Sequence, residues 1–142
     1  MKKSVISLAL LLGAVSLNAQ DEIEGFWLAG EGKSIVEIYK GESNNLFGKV
    51  VWLNEPNDKK GKPKTDRMNK DKSLRGRPII DMNMIENLTY QDGEWEGSLY
   101  VIKRGRMVPV TVSLTSNDQL SIKVSFMGRT GEKLWERTKN PQ

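Results

Sequence analysis

The clearest signal along the chain is strict alternation. Val108, Val110, Val112 and Leu114 fall on one side of an extended segment, with Pro109, Thr111 and Ser113 on the other. Successive side chains of a strand point to opposite faces, so this period of two predicts a strand with one buried and one wet face. Leu120, Ile122, Val124 and Phe126 repeat the pattern around Ser121, Lys123 and Ser125. Ser116-Asn117-Asp118 supplies turn chemistry between the two segments, which are therefore predicted to pair as an antiparallel hairpin.

Upstream, segments 25–29, 34–40 and 46–53 read as three more strands, separated by Gly30-Glu31-Gly32 and by the run Gly41-Glu42-Ser43-Asn44-Asn45. Segments 78–88, 94–102 and 132–138 bring the count to about eight, and the mixed periodicity of the first leaves room for a helical turn. Gly128-Arg129-Thr130-Gly131 reads as the hairpin turn before the last strand. Nothing past residue 19 has the period of a long amphipathic helix. The expectation is an all-β domain, an antiparallel barrel or sandwich of about eight strands.

Segment 54–77 interrupts the pattern with no apolar period and with Pro56, Gly61 and Pro63 in its first half. A loop this long inside a small domain is either a binding loop or lid, or a disordered insertion.

The beginning of the chain has a different character. Lys2 and Lys3 precede an almost uncharged apolar run over 5–17, closing on Leu17-Asn18-Ala19. That order predicts a cleaved signal peptide over 1–19, with the mature chain starting at Gln20. The run falls short of the roughly 20 residues that a bilayer core requires, so no membrane span is expected. A periplasmic or secreted protein follows. The absence of cysteine rules out both a disulfide framework and a lipidated N-terminal Cys. The remaining 123 residues are enough for one domain held by its own core.

Charge sharpens the reading of the loop. The chain carries 22 Lys and Arg against 18 Asp and Glu, and losing Lys2 and Lys3 would leave a net +2. Residues 54–77 hold nine basic and four acidic side chains, a net +5, so the rest of the mature chain sums to −3. Such concentration fits a polyanion or an anionic surface as partner, and with it a small-molecule or anionic ligand of the cell envelope, although charge runs in loops are commonly only solvated. The loop lacks the interleaved aromatics of single-strand binders, and export argues further against nucleic acid.

Chain-wide absence of histidine and cysteine removes the Ser-His-Asp and Cys-His arrangements and the usual zinc sites. No cofactor or metal is implied, and Gly128 to Gly131 is not a phosphate cradle. Glu94 and Glu96, two apart on one strand face, are the pair a carboxylate-only enzyme would need, but acids on a wet strand face commonly do nothing else. Within the loop, Thr65, Asp66, Arg75 and Arg77 look more specified than their neighbours. Asp66 can bond the backbone and pair with Arg75 or Arg77 as a structural clamp; alternatively the two guanidinium forks face a carboxylate or phosphate ligand. Trp27, Trp52, Trp95 and Trp135 either line a ligand cavity or fill the core.

Gly25-Phe26-Trp27, together with Trp135-Glu136-Arg137, resembles the lipocalin-like pattern in which an N-terminal Gly-x-Trp is covered by a late arginine. That resemblance implies a barrel whose end is sealed by Arg137 lying over Trp27, a cation–π contact. More closely, Gly25 to Trp27, Gly48 to Leu53, Lys64-Thr65-Asp66 with Asn69, Leu74 to Pro78 and Trp135 to Arg137 resemble the bacterial domain of unknown function 2147. The family has no assigned activity to carry over. Val101, Ile102 and Val108 depart from its pattern, which tends to place Asp-Pro and a second Tyr there, so ligand contacts in that hairpin do not transfer. The candidate ligand-binding residues are Thr65, Asp66, Arg75, Arg77 and Trp52, and the structural signature is Gly25, Trp27, Trp135 and Arg137. The functional expectation is a non-enzymatic envelope binding domain; the alternatives are a protein-interaction or scaffold module and, less favoured, a carboxylate-only enzyme.

Overall fold

A computed structural model describes residues 19–142; most of the expected signal segment lies outside the described residues. Eight antiparallel strands form one closed barrel: β1 (Gly25–Ala29), β2 (Ser34–Lys40), β3 (Leu46–Leu53), β4 (Asn83–Gln91), β5 (Glu94–Val101), β6 (Arg106–Ser116), β7 (Gln119–Phe126) and β8 (Arg129–Thr138). Each strand pairs with its sequence neighbour, and β1 pairs with β8 to close the ring. Closure leaves no unpaired edge, which suits a chain without disulfides.

The strongest alternations define the barrel wall. Val110 pairs with Val124, Val112 with Ile122 and Leu114 with Leu120, as the hairpin reading requires. Their inward side chains meet Trp27, Val36, Ile38, Ile85, Leu99 and Trp135 in one apolar cluster inside the barrel. Gly48 is part of that packing: a β-carbon there would press on Val36 and Ile85.

Two boundaries differ from the sequence reading. Residues 78–82 belong to the loop rather than to β4, which also runs on to Gln91. Asp81 adopts a left-handed φ of 75° and its amide donates to the Val50 carbonyl, so an extended strand cannot pass through it. The last hairpin turn is Met127-Gly128, with φ of 51° and 76°, and Arg129-Thr130-Gly131 is already strand. Two successive left-handed residues suit the twist of a tight hairpin, and a non-glycine residue fills the first place.

Up-and-down connectivity gives the barrel two ends. The sealed end gathers residues 19–24, the turns after β2, β4 and β6, and the C-terminus. The loop end gathers the turns after β1, β5 and β7 and the long segment 54–82. No helix among the described residues is long and apolar enough to cross a membrane.

Candidate functional site

At the sealed end, Trp27 is fully buried and donates from Nε1 to the Ile23 carbonyl at 2.9 Å. Arg137, its cross-strand partner, lies over the indole with the guanidinium carbon 4.3 Å from the ring centroid. The same guanidinium donates to the carbonyls of Glu22, Glu24 and Asn117, tying three segments together. Gly25 makes room for it: φ is 131°, and a β-carbon would sit 3.1 Å from Arg137 Nη1. Trp135 is buried in the lumen, so the four signature residues serve the core and its seal. Trp95 adds a bond from Nε1 to the Gln20 carbonyl, bringing the first described residues into this cap.

At the loop end, the long segment is a built structure. Asp58 Oδ1 accepts from the amides of Lys60 and Lys62, and Asn57 bridges to Pro63, forming a small hairpin with Gly61 at its tip. Thr65 bridges to Pro78, and Asp71 caps a 3₁₀ turn over Lys72–Leu74 by accepting from Ser73. These bonds to the Ser73 hydroxyl and amide hold the Asp71 carboxyl below its ordinary range.

The centre of the loop is Asp66, which is fully buried. Its Oδ1 accepts from the Tyr100 hydroxyl at 2.8 Å, and its Oδ2 from Asn69 Nδ2 at 2.8 Å and Arg77 Nε at 2.9 Å. Arg77 also lies over the Tyr100 ring, 5.3 Å from its centroid. Tyr100 alternates with the inward Leu99 and Val101, so it stands on the outer face of β5, and the clamp fastens the loop to the outside of the wall. Burial, and then the bond to the Asp66 carboxylate and its charge, push the Tyr100 hydroxyl pKa up; Arg77 opposes them. Nearby, Gly105, at φ +66°, packs so tightly beneath the loop that a β-carbon would overlap the Met68 carbonyl.

Between the loop and the β5–β6 turn opens a cleft of about 840 Å³. Met68, Ile79 and Ile102 supply its apolar surface; Lys59, Lys60, Lys64, Arg67 and Lys103 supply cations, against Glu55 and Asp58. Thr65 also lines it. A cleft mixing apolar and cationic groups suits an anion with an apolar portion.

Charge separates along the barrel. The loop-end segments 30–33, 54–82, 102–106 and 127–129 contain fourteen basic and six acidic side chains, a net +8. The sealed-end segments 19–24, 40–45, 91–94, 116–119 and 136–142 contain three basic and eight acidic ones, a net −5.

The five candidate ligand residues part company. Thr65 reaches the cleft. Asp66 and Arg77 are joined in the clamp, and every bond drawn to the Asp66 carboxylate is internal. Arg75 pairs not with Asp66 but with the Asn69 carbonyl, through Nε at 2.7 Å. Trp52 does not line the cleft: a bulge makes it pair with Ile35 while Val50 pairs with Val36, removing it from the inward row. Glu94 and Glu96 are exposed on the outer wall of β5. Sequence reasoning missed Tyr100 as the third arm of the clamp, as well as Ile102 and Lys103 as the far wall of the cleft. Tyr100 and Ile102 lay in a segment read only as a strand and Lys103 just past it, and only the folded chain brings them to a loop some 30 residues away. No group of three or more acidic side chains placed to hold a metal occurs among the described residues.

No curated protein matches the chain. Among solved structures, it is similar to Protein HP1028 from the human pathogen Helicobacter pylori, described as belonging to the lipocalin family. The TM-score is 0.67 and the identity 21 %, covering 83 % of this chain and 84 % of that one. At that identity the likeness establishes the lipocalin-like barrel alone. A family model described as an uncharacterised protein conserved in bacteria, DUF2147, matches residues 25–137, the whole span from the Gly-x-Trp strand to the arginine that covers it. The chain belongs to that family.

Proposed function

We propose that this protein is an exported, non-enzymatic binding barrel of the cell envelope that takes a small anionic ligand in the cleft beside its long loop. The observation that carries the reading is the composition of the cleft. Lys60, Lys64, Arg67 and Lys103 converge around Met68, Ile79 and Ile102, offering charge for a carboxylate or phosphate and apolar surface for the body attached to it. Export rests on the charged start, apolar run and small-residue close of residues 1–19. Asp66 and Arg77 act in this reading as positioning residues, because the clamp holds the loop that forms one wall of the cleft.

Native mass spectrometry of the protein purified gently from its own cells tests the proposal. A reproducible small-mass adduct is expected, lost in Arg67→Glu and Lys103→Glu and retained in Glu94→Gln. Bare protein from several growth conditions, or an adduct indifferent to the cleft substitutions, would overturn it.

A further inference from the structure

The loop end has a second property that a ligand cleft does not require. Among the described residues six large apolar side chains are exposed, and four lie at or next to this end: Met68, which also lines the cleft, Leu74, Met107 and Met127. Met127, at the tip of the β7–β8 turn, is 84 % exposed. Between them, Gly105 packs against the Met68 backbone carbonyl, and Arg104 and Arg106, either side of that glycine, lie over the ring of Phe126, the residue before Met127. Single exposed apolar residues mean little, but four projecting from an end of net charge +8, opposite an end of −5, form an oriented amphipathic face.

The geometry points to docking of the loop end on an anionic lipid bilayer. Basic residues near a negatively charged leaflet each add to the attraction, and the attraction falls off with salt. Flexible apolar side chains such as methionine can enter the interface between headgroups and acyl chains. Flat, delocalised negative charge matches a face whose cations come from several different turns, and the acidic sealed end would be held away from such a surface. The orientation is independent of whether the cleft holds a ligand.

The chain has no cysteine, so single labels test the orientation directly. Met127→Cys at the loop end and Glu42→Cys at the sealed end would each carry an environment-sensitive fluorophore. They are mixed with vesicles of phosphatidylcholine alone or with one third phosphatidylglycerol. The label at position 127 is expected to brighten several-fold and shift to the blue with anionic vesicles at low salt, and to revert as salt is raised; the label at position 42 should not respond. Arg104→Glu should weaken the response several-fold, while Leu134→Ser, an exposed position on the barrel wall, should not. A response at position 42 instead would mean that the opposite end meets the membrane. That outcome, equal response to neutral vesicles, or salt-sensitive binding to polyglutamate but not to vesicles would each overturn the proposal.

Discussion

The two ends of the barrel are built by opposite means. The sealed end closes over a fully buried indole, and Arg137 spends its donors on three backbone carbonyls. The loop end instead has its long segment fastened to the outer wall through a buried carboxylate, with donors arriving from three side chains. Backbone carbonyls exist whatever the sequence, so the first arrangement needs few specified residues. The second fails if any one of several side chains changes. The consequence is a division of labour: the lumen and its seal hold the barrel, whereas the clamp holds one surface of it, where the basic residues and the cleft lie.

Removing the indole is the severest test of that division. Trp27→Ala takes the largest of the fully buried side chains out of the core, and large-to-small changes of this kind cost about 3–5 kcal/mol. Its urea midpoint should fall for the whole barrel, followed by tryptophan fluorescence and far-ultraviolet dichroism together. If the barrel kept its midpoint while the loop alone loosened, the seal would not be a part of the core.

The clamp should fail differently. Asp66→Ala leaves the Tyr100 hydroxyl, the Asn69 amide and Arg77 without their acceptor, at a cost on the order of 3 kcal/mol. Because Tyr100 stands on the outer wall, the cost falls first on local opening of segment 54–82. The loop's nine Lys and Arg make trypsin a direct reporter. Cleavage within the loop is expected to accelerate about tenfold or more, with a much smaller change in the urea midpoint of the barrel. Equal losses in both measurements would erase the distinction between the ends.

That contrast also explains what was legible in the sequence. Alternation reports a local property, so eight strands, the hairpin of β6 and β7 and the inward rows could be read along the chain. Arg137 over Trp27 could be anticipated only through a family resemblance, because nothing local links residues 110 apart. In the loop, Asp66 and Arg77 were visible as a pair because both are charged and close in sequence. Tyr100 was not, since its outward position on β5 looks like any solvent-facing site until the loop covers it. Trp52 misled for a related reason: a single bulge reverses which face a strand residue joins, and no residue type there announces the bulge.

The smallest effect concerns that tyrosine, and its sign is fixed by chemistry. Burial and the neighbouring carboxylate raise the Tyr100 pKa above its ordinary 10.0, so the folded protein favours the neutral phenol. Below pH 10 the phenol keeps its proton folded or unfolded, and the stabilising contribution is fully present. Above it the unfolded chain ionises first, and the contribution drains away as pH climbs toward the folded value. Tyr100→Phe should therefore cost about 1 kcal/mol near neutrality, from the lost hydrogen bond. The gap between Tyr100→Phe and the unsubstituted protein, read from loop cleavage rates corrected for trypsin's own pH profile, should hold below pH 10 and narrow as pH rises above it. Contributions common to both proteins cancel in that difference. A gap that stays constant would mean that the hydroxyl opposite Asp66 does not hold the loop, and that the two ends differ in charge but not in how they are fastened.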